Sequence, residues 1–334
     1  MWKKWLALAL KILVSGALIW FLVGKVDLAA AKERILKVAP EMLALATVLI
    51  AVQIVIANFR WRVVMDALLD TVMPFRRTQR IIYIGFFFNQ ALPSSVGGDA
   101  VRMVLGRRAG MPLGQAVSSV FLDRLANLLA LVLIVVTATP FFVSDLPAGK
   151  QPWAWSGLTV LLIGAVAGLT FLIALERLPE SLRHWRVVRG LIGLAGDTRR
   201  VFLVTRNAFR AMSWSVIGFV NVALVVYALA AGLKLNISLM ECLVLIPPVL
   251  LISTLPISIA GWGVREGAMV AALGLVGVPP EGALVLSILL GLLALAVCLP
   301  GGLVWMVSSE KRGDVLAEAS RLEAETPDGA DSAR

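Results

Sequence analysis

Long apolar stretches alternate with short polar connections along the whole chain. An α-helix needs about 20 mostly apolar residues to cross a bilayer. Stretches of that kind predict spans at approximately 5–23, 42–58, 117–140, 155–175, 211–232 and 283–307. Strands with free edges are excluded, because their backbone groups would lack partners in hydrocarbon. The pattern therefore predicts an all-α polytopic membrane protein with about six full transmembrane helices.

Two further apolar runs are too short, or too interrupted, to read as ordinary spans. The first, at 81–92, follows a basic amphipathic stretch and ends at a Pro-rich and Gly-rich break, after which a short helix is predicted at 99–109. The second, at 239–255, contains two adjacent prolines and precedes a short helix predicted at 265–277. Such runs predict two broken, re-entrant hairpins. The alternative is eight full spans, in which each hairpin consists of two crossing helices.

The breaks in these two hairpins resemble each other. A single offset that places Leu92 on Leu255 aligns six identical residues without a gap. They are Leu92, Pro93, Ser95, Gly98, Val101 and Arg102, which fall on Leu255, Pro256, Ser258, Gly261, Val264 and Arg265. We call 91–102 the first motif and 255–265 the second motif. Their likeness predicts an internal repeat, because both copies end in a charged residue that is rare in membrane sequence.

The distribution of positive charge predicts how the chain is oriented. The chain has 334 residues, 59% of them apolar and 16% charged, with a net charge of +10. Arg and Lys concentrate near the N-terminus and in 60–80, 102–108 and 176–210, so these segments are predicted to be cytoplasmic. Because such clustering between apolar runs is a topology signal, nucleic acid is excluded as a partner.

The same topology predicts that the two motifs face opposite sides of the membrane. Spans three, four and five lie between them, and an odd number of crossings inverts the second motif relative to the first. Two inverted repeats with broken helices near the bilayer midplane are typical of transporters. Residues 1–307 are thus predicted to form one transmembrane domain. Residues 308–334 are predicted to form an acidic, partly disordered tail, and both termini are predicted to be cytoplasmic.

The sequence also argues against catalysis. It has no Gly-x-x-x-x-Gly-Lys-Ser/Thr phosphate loop and no His-Glu-x-x-His metal motif. Its single histidine, His184, makes a nucleophile–histidine pair implausible. Cys242 and Cys298 both lie in apolar segments and are predicted to be small buried hydrophobic residues. We therefore predict no enzymatic activity, no cofactor and no metal.

The chemistry of both motifs suits a phosphate group. Gly97 and Gly98, and later Gly261 and Gly263, allow backbone conformations that other residues resist. Each motif leads into a helix whose N-terminus offers free N–H groups and a positive dipole end to an anion. Asp99 is predicted to cap the first of these helices.

The motif side chains add donors to these helix ends. Arg102 and Arg265 supply guanidinium groups shaped for phosphate, and Ser95 and Ser258 supply hydroxyls. The predicted ligand is the phosphate of an anionic phospholipid or of a polyprenyl phosphate, held between Arg102 and Arg265.

Three acidic residues lie close in sequence to arginines of the predicted membrane region. They are Asp99, Asp123 and Glu266, beside Arg102, Arg124 and Arg265. Adjacent residues such as Asp123 and Arg124 cannot share one helix face, so each is predicted to pair with a residue of another helix. Charges inside a membrane are costly and usually functional. For Asp123 and Arg124, a purely topological role at the membrane interface remains an open alternative.

At these motifs the sequence resembles the lysylphosphatidylglycerol synthase transmembrane family. The resemblance rests on Asn89, Leu92-Pro93, Gly97-Gly98-Asp99 and Arg102, then on Asp123-Arg124, and later on Pro256, Ser258, Gly261, Gly263 and Arg265-Glu266-Gly267. The family includes the flippase-like domain of the multiple peptide resistance factor and stand-alone proteins. It implies an inner-membrane protein with re-entrant helices, movement of lipids between leaflets and a supporting polar role for Asn89. The synthase domain is absent from this sequence, so the resemblance does not imply aminoacyl transfer.

A lipid translocase is therefore the leading functional hypothesis. The alternative is a non-transporting membrane subunit that binds a lipid-modifying or glycosyl-transfer enzyme through its 176–210 segment and acidic tail. An ion or solute channel is a third, weaker hypothesis. The predicted partner is a membrane lipid; a membrane enzyme and a second copy of the chain are further candidate partners.

Overall fold

Ten α-helices make up the described part of the chain, which contains no strand. The computed structural model describes residues 37–69, 73–92, 97–144, 149, 151–174, 186–254, 258 and 261–308. The helices are α1 (Pro40–Leu68), α2 (Phe75–Ala91), α3 (Gly97–Arg108), α4 (Leu113–Ser144), α5 (Gln151–Ala174), α6 (Arg186–Phe202), α7 (Thr205–Gly232), α8 (Leu239–Ser253), α9 (Val264–Gly274) and α10 (Pro280–Val307). The prediction of an all-α polytopic membrane protein is confirmed.

Four described helices are long and apolar enough to cross a membrane. They are α1, α4, α7 and α10, which match predicted spans two, three, five and six. Shorter apolar helical segments occupy Trp155–Gly168, within predicted span four, and Leu239–Ser253. The predicted span at 5–23 and the acidic tail lie outside the described residues.

Each motif lies where one short helix gives way to another that packs against it. Helix α2 is followed by α3, and α8 is followed by α9, with the two helices of each pair in contact. This matches the two broken hairpins expected from the sequence. Helix α2 also packs along α10, where Tyr83 donates a hydrogen bond to the carbonyl of Val297 at 2.9 Å. The inversion of the two halves and their depth in the bilayer stay predictions.

Several predicted boundaries are wrong, and packing explains why. Helix α1 continues beyond residue 58, because Trp61, Met65 and Leu68 are buried at helical spacing. The basic stretch at 60–80 is therefore the end of α1 and the start of α2. Helix α4 does not end at Pro140, and α8 runs through Pro247-Pro248. In both helices, contacts with neighbouring helices stabilise turns that proline weakens locally.

The basic 176–210 connection contains a helix that was not predicted. Helix α6 is strongly amphipathic, with apolar residues at helical spacing on one face. That face packs against α1 and α4 in a cluster formed by Leu191, Leu194, Ala195, Val201, Phe202, Val64, Leu68, Leu122 and Leu125. Arg200 near the end of α6 and Arg206 at the start of α7 are exposed. Helix α6 thus lies beside the start of α4, the helix that carries Asp123 and Arg124.

Candidate functional site

A chain of alternating arginines and aspartates links α1, α3 and α4. At the buried end of this chain of residues, Arg60 of α1 forms an ion pair with Asp123 of α4. Arg60 Nε lies 2.7 Å from Asp123 Oδ1, and its Nη2 lies 3.2 Å from Oδ2. Asp123 also accepts a hydrogen bond from Arg102 Nη2 at 3.1 Å. Only 1% of the Asp123 side chain is exposed, so this carboxylate is fully enclosed by guanidinium groups.

The chain continues through Asp99 to Arg124. Arg102 Nη1 lies 3.3 Å from Asp99 Oδ1, one turn earlier on α3. On the other side, Nε and Nη2 of Arg124 both lie 2.8 Å from Asp99 Oδ2. Asp123 and Arg124 therefore pair with residues of other helices, and that prediction is confirmed. We call Arg60, Asp99, Arg102, Asp123 and Arg124 the arginine–aspartate cluster.

The arginine–aspartate cluster carries an excess of positive charge. It contains three arginines and two aspartates, so its formal charge is +1. Arg124 is its outer member, with 43% of its side chain exposed. The exposed face of α4 around it is apolar, since Phe121 lies one turn earlier, Val117 lies two turns earlier, and both are also exposed. The one accessible guanidinium of the cluster thus opens onto a hydrophobic surface.

Packing contacts with α1 and α2, in addition to hydrogen bonds, hold the Arg102 side chain in place. Its guanidinium carbon lies 4.8 Å from the centre of the Trp61 ring, within cation–π range. A Cβ at Gly85 of α2 would lie 2.6 Å from Arg102 Cγ. Arg102 Nε has no hydrogen-bond partner among the described residues, although the side chain is buried. The amide of Asn58, on the same helix as Trp61, is also buried without a partner there. Unpaired buried donors of this kind need an explanation.

The N-terminus of α3 differs from the sequence prediction in two ways. The backbone N–H of Gly98 donates to the side-chain oxygen of Asn89 at 3.0 Å, so the residue that satisfies this end of the helix is Asn89. Asp99 is not the cap, because its carboxylate is held by Arg102 and Arg124. Gly97 and Gly98 adopt helical conformations, and only the glycines at 110, 261, 263 and 277 have positive φ among those described.

Close packing explains the glycines of the first motif. A Cβ at Gly98 would collide with the backbone oxygen of Gly85 and the side chain of Asn89. A Cβ at Gly97 would lie 2.5 Å from Leu92 Cδ1. These glycines allow α2 and α3 to approach each other closely, rather than permitting an unusual backbone conformation.

The second motif forms a smaller and electrically neutral cluster. Arg265 Nη2 lies 2.6 Å from Glu266 Oε1, and Ser287 of α10 donates to the same oxygen at 3.1 Å. The other carboxylate oxygen of Glu266 accepts the backbone N–H of Gly263 at 2.6 Å. Glu266 therefore occupies the N-terminal end of α9, the position predicted for an external anion. We call Arg265, Glu266 and Ser287 the arginine–glutamate cluster.

Its arginine is seated much like Arg102. The guanidinium carbon of Arg265 lies 4.7 Å from the centre of the Trp262 ring. A Cβ at Gly291 of α10 would collide with that guanidinium. Gly261 and Gly263 have φ of 80° and 86°, so here the predicted need for glycine conformations is confirmed. Both motif arginines thus rest between a tryptophan ring and a glycine of a neighbouring helix.

The structure places the predicted site residues in two groups. Arg102, Asp99, Asp123 and Arg124 come together with Asn89, Gly97 and Gly98 nearby, while Arg265 and Glu266 form the other group. Within the described part of the chain, the two clusters share no residue. Ser258 is buried in the second break, with a hydroxyl that has no partner among described residues. Ser95 lies outside the described residues.

Two members of these clusters, Arg60 and Ser287, and the Trp61 ring beside Arg102 were missed from the sequence. Arg60 and Trp61 lay in the basic amphipathic stretch that was predicted to be cytoplasmic, and Ser287 lay within an apolar span. The signal available in the sequence was a charged residue one helical turn beyond Ile56 and Ala57, two apolar residues of the predicted span at 42–58. In the described residues, no three His, Cys, Asp or Glu side chains are grouped so that they could hold a metal ion.

Comparison with known protein families supports the resemblance seen at the two motifs. The family described as the lysylphosphatidylglycerol synthase TM region matches residues 8–302. The chain belongs to this family. The match takes in both clusters and all ten described helices except the last residues of α10. This membership establishes a multi-pass membrane protein.

A curated relative supports the same assignment. The chain is 26% identical over 305 residues to a UPF0104 membrane protein of Methanothermobacter thermautotrophicus. The aligned part covers 82% of this chain and 83% of that protein, so the two are similar along most of their lengths.

Proposed function

We propose that this protein moves an anionic lipid, a phospholipid or a polyprenyl phosphate, between the leaflets of the inner membrane. The observation that carries the proposal is the arginine–aspartate cluster, with three guanidinium groups for two carboxylates. A buried charge excess inside a membrane protein is costly unless a counter-ion balances it. A phosphodiester carries one negative charge and would bring the cluster to neutrality. The first motif would thus be the phosphate site, with Arg102 and Arg124 as its ligands.

The surroundings of Arg124 favour a lipid over a free anion. Its guanidinium emerges on a face of α4 whose neighbouring exposed side chains are Val117 and Phe121. A lipid can place its phosphate on the guanidinium while its acyl chains stay against the apolar face. A water-soluble anion would gain nothing from these contacts. The site therefore suits an amphiphile that enters sideways from the bilayer.

The arginine–glutamate cluster suits a later step of the same cycle. Arg265 is neutralised by Glu266, and Ser258 and Ser287 lie in the same half of the chain with hydroxyl groups that can donate hydrogen bonds. Glu266 would have to release Arg265 before this second site could receive a phosphate. The two sites would then be loaded in turn, as alternating access requires.

Leaflet exchange in proteoliposomes tests the proposal. A fluorescent phosphatidylglycerol and a fluorescent phosphatidylcholine are followed separately while a reductant bleaches the outer leaflet. Wild type is compared with Arg102→Ala, Arg124→Ala and Arg265→Ala. We expect rapid exchange of the anionic lipid, at least tenfold slower in each variant, because one removed guanidinium contact costs about 1.5–3 kcal/mol.

The matched control is Arg206→Ala, which removes an exposed arginine outside both clusters. It should exchange lipid at the wild-type rate. Folding of each variant is checked by its melting temperature in detergent. If folded wild type moved neither phosphatidylglycerol nor a fluorescent polyprenyl phosphate, the proposal would be wrong, and a non-transporting membrane subunit would become the better hypothesis.

One observation favours that second candidate. Helix α6 packs against α1 and α4 through its apolar face, while Arg200 near its end and Arg206 at the start of α7 are exposed. A basic surface of this kind could bind an acidic enzyme partner. Under this alternative, Arg102→Ala and Arg265→Ala should leave the partner bound, whereas charge reversal at Arg200 and Arg206 should release it.

A further inference from the structure

Asp99 occupies the position in which a phosphate would meet Arg124. Both Nε and Nη2 of Arg124 point at a single oxygen of its carboxylate, each at 2.8 Å. Its other oxygen is held only loosely, at 3.3 Å from Arg102 Nη1. Asp99 lies in the first turn of α3, where the helix dipole favours a negative charge even without a salt bridge. This carboxylate can therefore leave its arginines more cheaply than an ordinary buried one.

The other aspartate of the cluster is held quite differently. Asp123 accepts hydrogen bonds from two nitrogens of Arg60, and Arg60 also donates one to the side chain of Asn127. These partners lie on α1 and α4, so the Arg60–Asp123 pair ties two long helices together. The cluster thus has a fixed half, built on Asp123, and a looser half, built on Asp99.

Arg102 lies between the two halves and could donate further hydrogen bonds. Its contacts to Asp123 and Asp99 measure 3.1 and 3.3 Å, and its Nε is unpaired among the described residues. The Trp61 ring and the backbone at Gly85 both lie close to this side chain and limit its movement. Arg102 is therefore positioned to accept another anion without moving far.

We infer that Asp99 is an internal substitute for the lipid phosphate, displaced from Arg124 and Arg102 when the lipid binds and returning when it leaves. The inference rests on the proposed function, since it concerns the same site. An arriving phosphate takes the donors of Arg124 and the unused Nε of Arg102. Asp99 remains at the N-terminal end of α3, beside the bound phosphate. The repulsion between the two negative groups prevents the site from holding its lipid too tightly.

This arrangement predicts opposite effects on binding and on transport. Asp99→Asn removes the competing charge but keeps nearly the same shape, so phosphate should bind about tenfold more tightly. The same change removes the group that displaces the lipid from the site, so leaflet exchange should become slower. A residue that only supports the fold would weaken both properties together.

The experiment measures binding and exchange with the full chain. Protein in phosphatidylcholine nanodiscs is titrated with a fluorescent phosphatidylglycerol, and separately with inorganic phosphate as the water-soluble form of the same chemistry. Wild type is compared with Asp99→Asn and Asp99→Ser, and Asp66→Asn is the control variant. Asp66 is exposed on α1, so its replacement makes the same change in net charge away from the cluster.

We expect about tenfold tighter binding of the lipid by both Asp99 variants, slower exchange in proteoliposomes and no change in the control. Inorganic phosphate should bind more weakly than the lipid, because it lacks contacts with the apolar face. Lipid binding that is unchanged or weaker in the folded Asp99 variants would overturn the inference. So would a failure of both variants to fold, because a carboxylate released in every cycle cannot be essential to the fold.

The proposed function and this inference can fail separately. If wild type exchanges lipid but the Asp99 variants bind no more tightly, only the inference is overturned. If the variants bind lipid more tightly while wild type exchanges none, Asp99 still competes with phosphate, but at a binding site rather than in a carrier.

Discussion

Gly85 of α2 leaves the space that the side chain of Arg102 fills. A Cβ at position 85 would lie 2.6 Å from Arg102 Cγ and 2.9 Å from its Cδ, closer than carbon atoms can approach. The backbone oxygen of Gly98 would be 3.2 Å away on the same side. The position of the central arginine therefore depends on a residue with no side chain, which lies on a different helix, fourteen residues before Asp99 in sequence.

Replacing Gly85 with alanine should displace Arg102 and weaken the α2–α3 contact. We expect a loss of about 1–3 kcal/mol in the free energy of unfolding, typical of an overpacked site. Thermal melting in detergent measures the loss. Gly164→Ala on α5 is the control, since nothing lies within 4 Å of a Cβ there. It should be neutral or slightly stabilising, because alanine favours helix. Equal melting temperatures for the two variants would contradict the prediction.

Breaking the Arg60–Asp123 pair should destabilise the protein more than any other single change in the cluster. Asp123→Asn leaves Arg60 without its charge partner, and Arg60→Gln does the reverse. Each should cost about 3–5 kcal/mol of unfolding free energy, because an uncompensated charge stays buried. Melting of the single and double variants forms a cycle in which the double variant loses less than the sum. Arg80→Gln, at an exposed arginine of α2, should change little; strictly additive losses would show that the pair is not coupled.

Two substitutions at Glu266 should separate its two roles. Glu266→Gln removes the charge that pairs with Arg265 but keeps an oxygen for the N–H of Gly263. Glu266→Ala removes both. Alanine should therefore cost about 1 kcal/mol more than glutamine, the usual value of a helix cap. Melting temperatures and protease resistance of the region around α9 would reveal the order, and glutamine as damaging as alanine would mean that the cap contributes nothing.

The two native cysteines should be inert, which makes the orientation of the chain testable. Cys242 and Cys298 are buried, confirming the sequence prediction, so a membrane-impermeant maleimide should not label the folded protein. Single cysteines can then be introduced at exposed Phe209 and Asn236. The predicted topology places Phe209→Cys on the cytoplasmic side and Asn236→Cys on the opposite side. Labelling of both from the same face of sealed vesicles would contradict the predicted orientation.

Sequence patterns predicted the elements of the fold better than their partners. The apolar runs located α1, α4, α7 and α10, because a bilayer imposes the length and composition of a span. The motif breaks also appeared where expected, between α2 and α3 and between α8 and α9. Helix ends were less predictable, because Trp61 and Met65 extend α1 through tertiary burial that no local pattern reveals.

The partners of the charged residues required the structure. From sequence, Asp123 and Arg124 could be assigned to different helix faces but not to Arg60 and Asp99. Those pairings depend on which faces of α1, α3 and α4 meet. Likewise, Gly97 and Gly98 suggested an unusual backbone, whereas their role is close helix packing. The sequence shows where a glycine is present. Only the structure shows whether that glycine is there for its backbone conformation or for the space left by its missing side chain.

The formal charge of the arginine–aspartate cluster determines how a membrane voltage would act on the protein. An elementary charge that crosses the whole field gains or loses about 2.3 kcal/mol per 100 mV. The empty cluster has a charge of +1, whereas the cluster with a bound phosphodiester is neutral. The arginine–glutamate cluster is neutral already, so moving α9 would be electrically silent. Under the proposed function, a voltage would therefore bias the return of the empty carrier and leave the loaded step untouched.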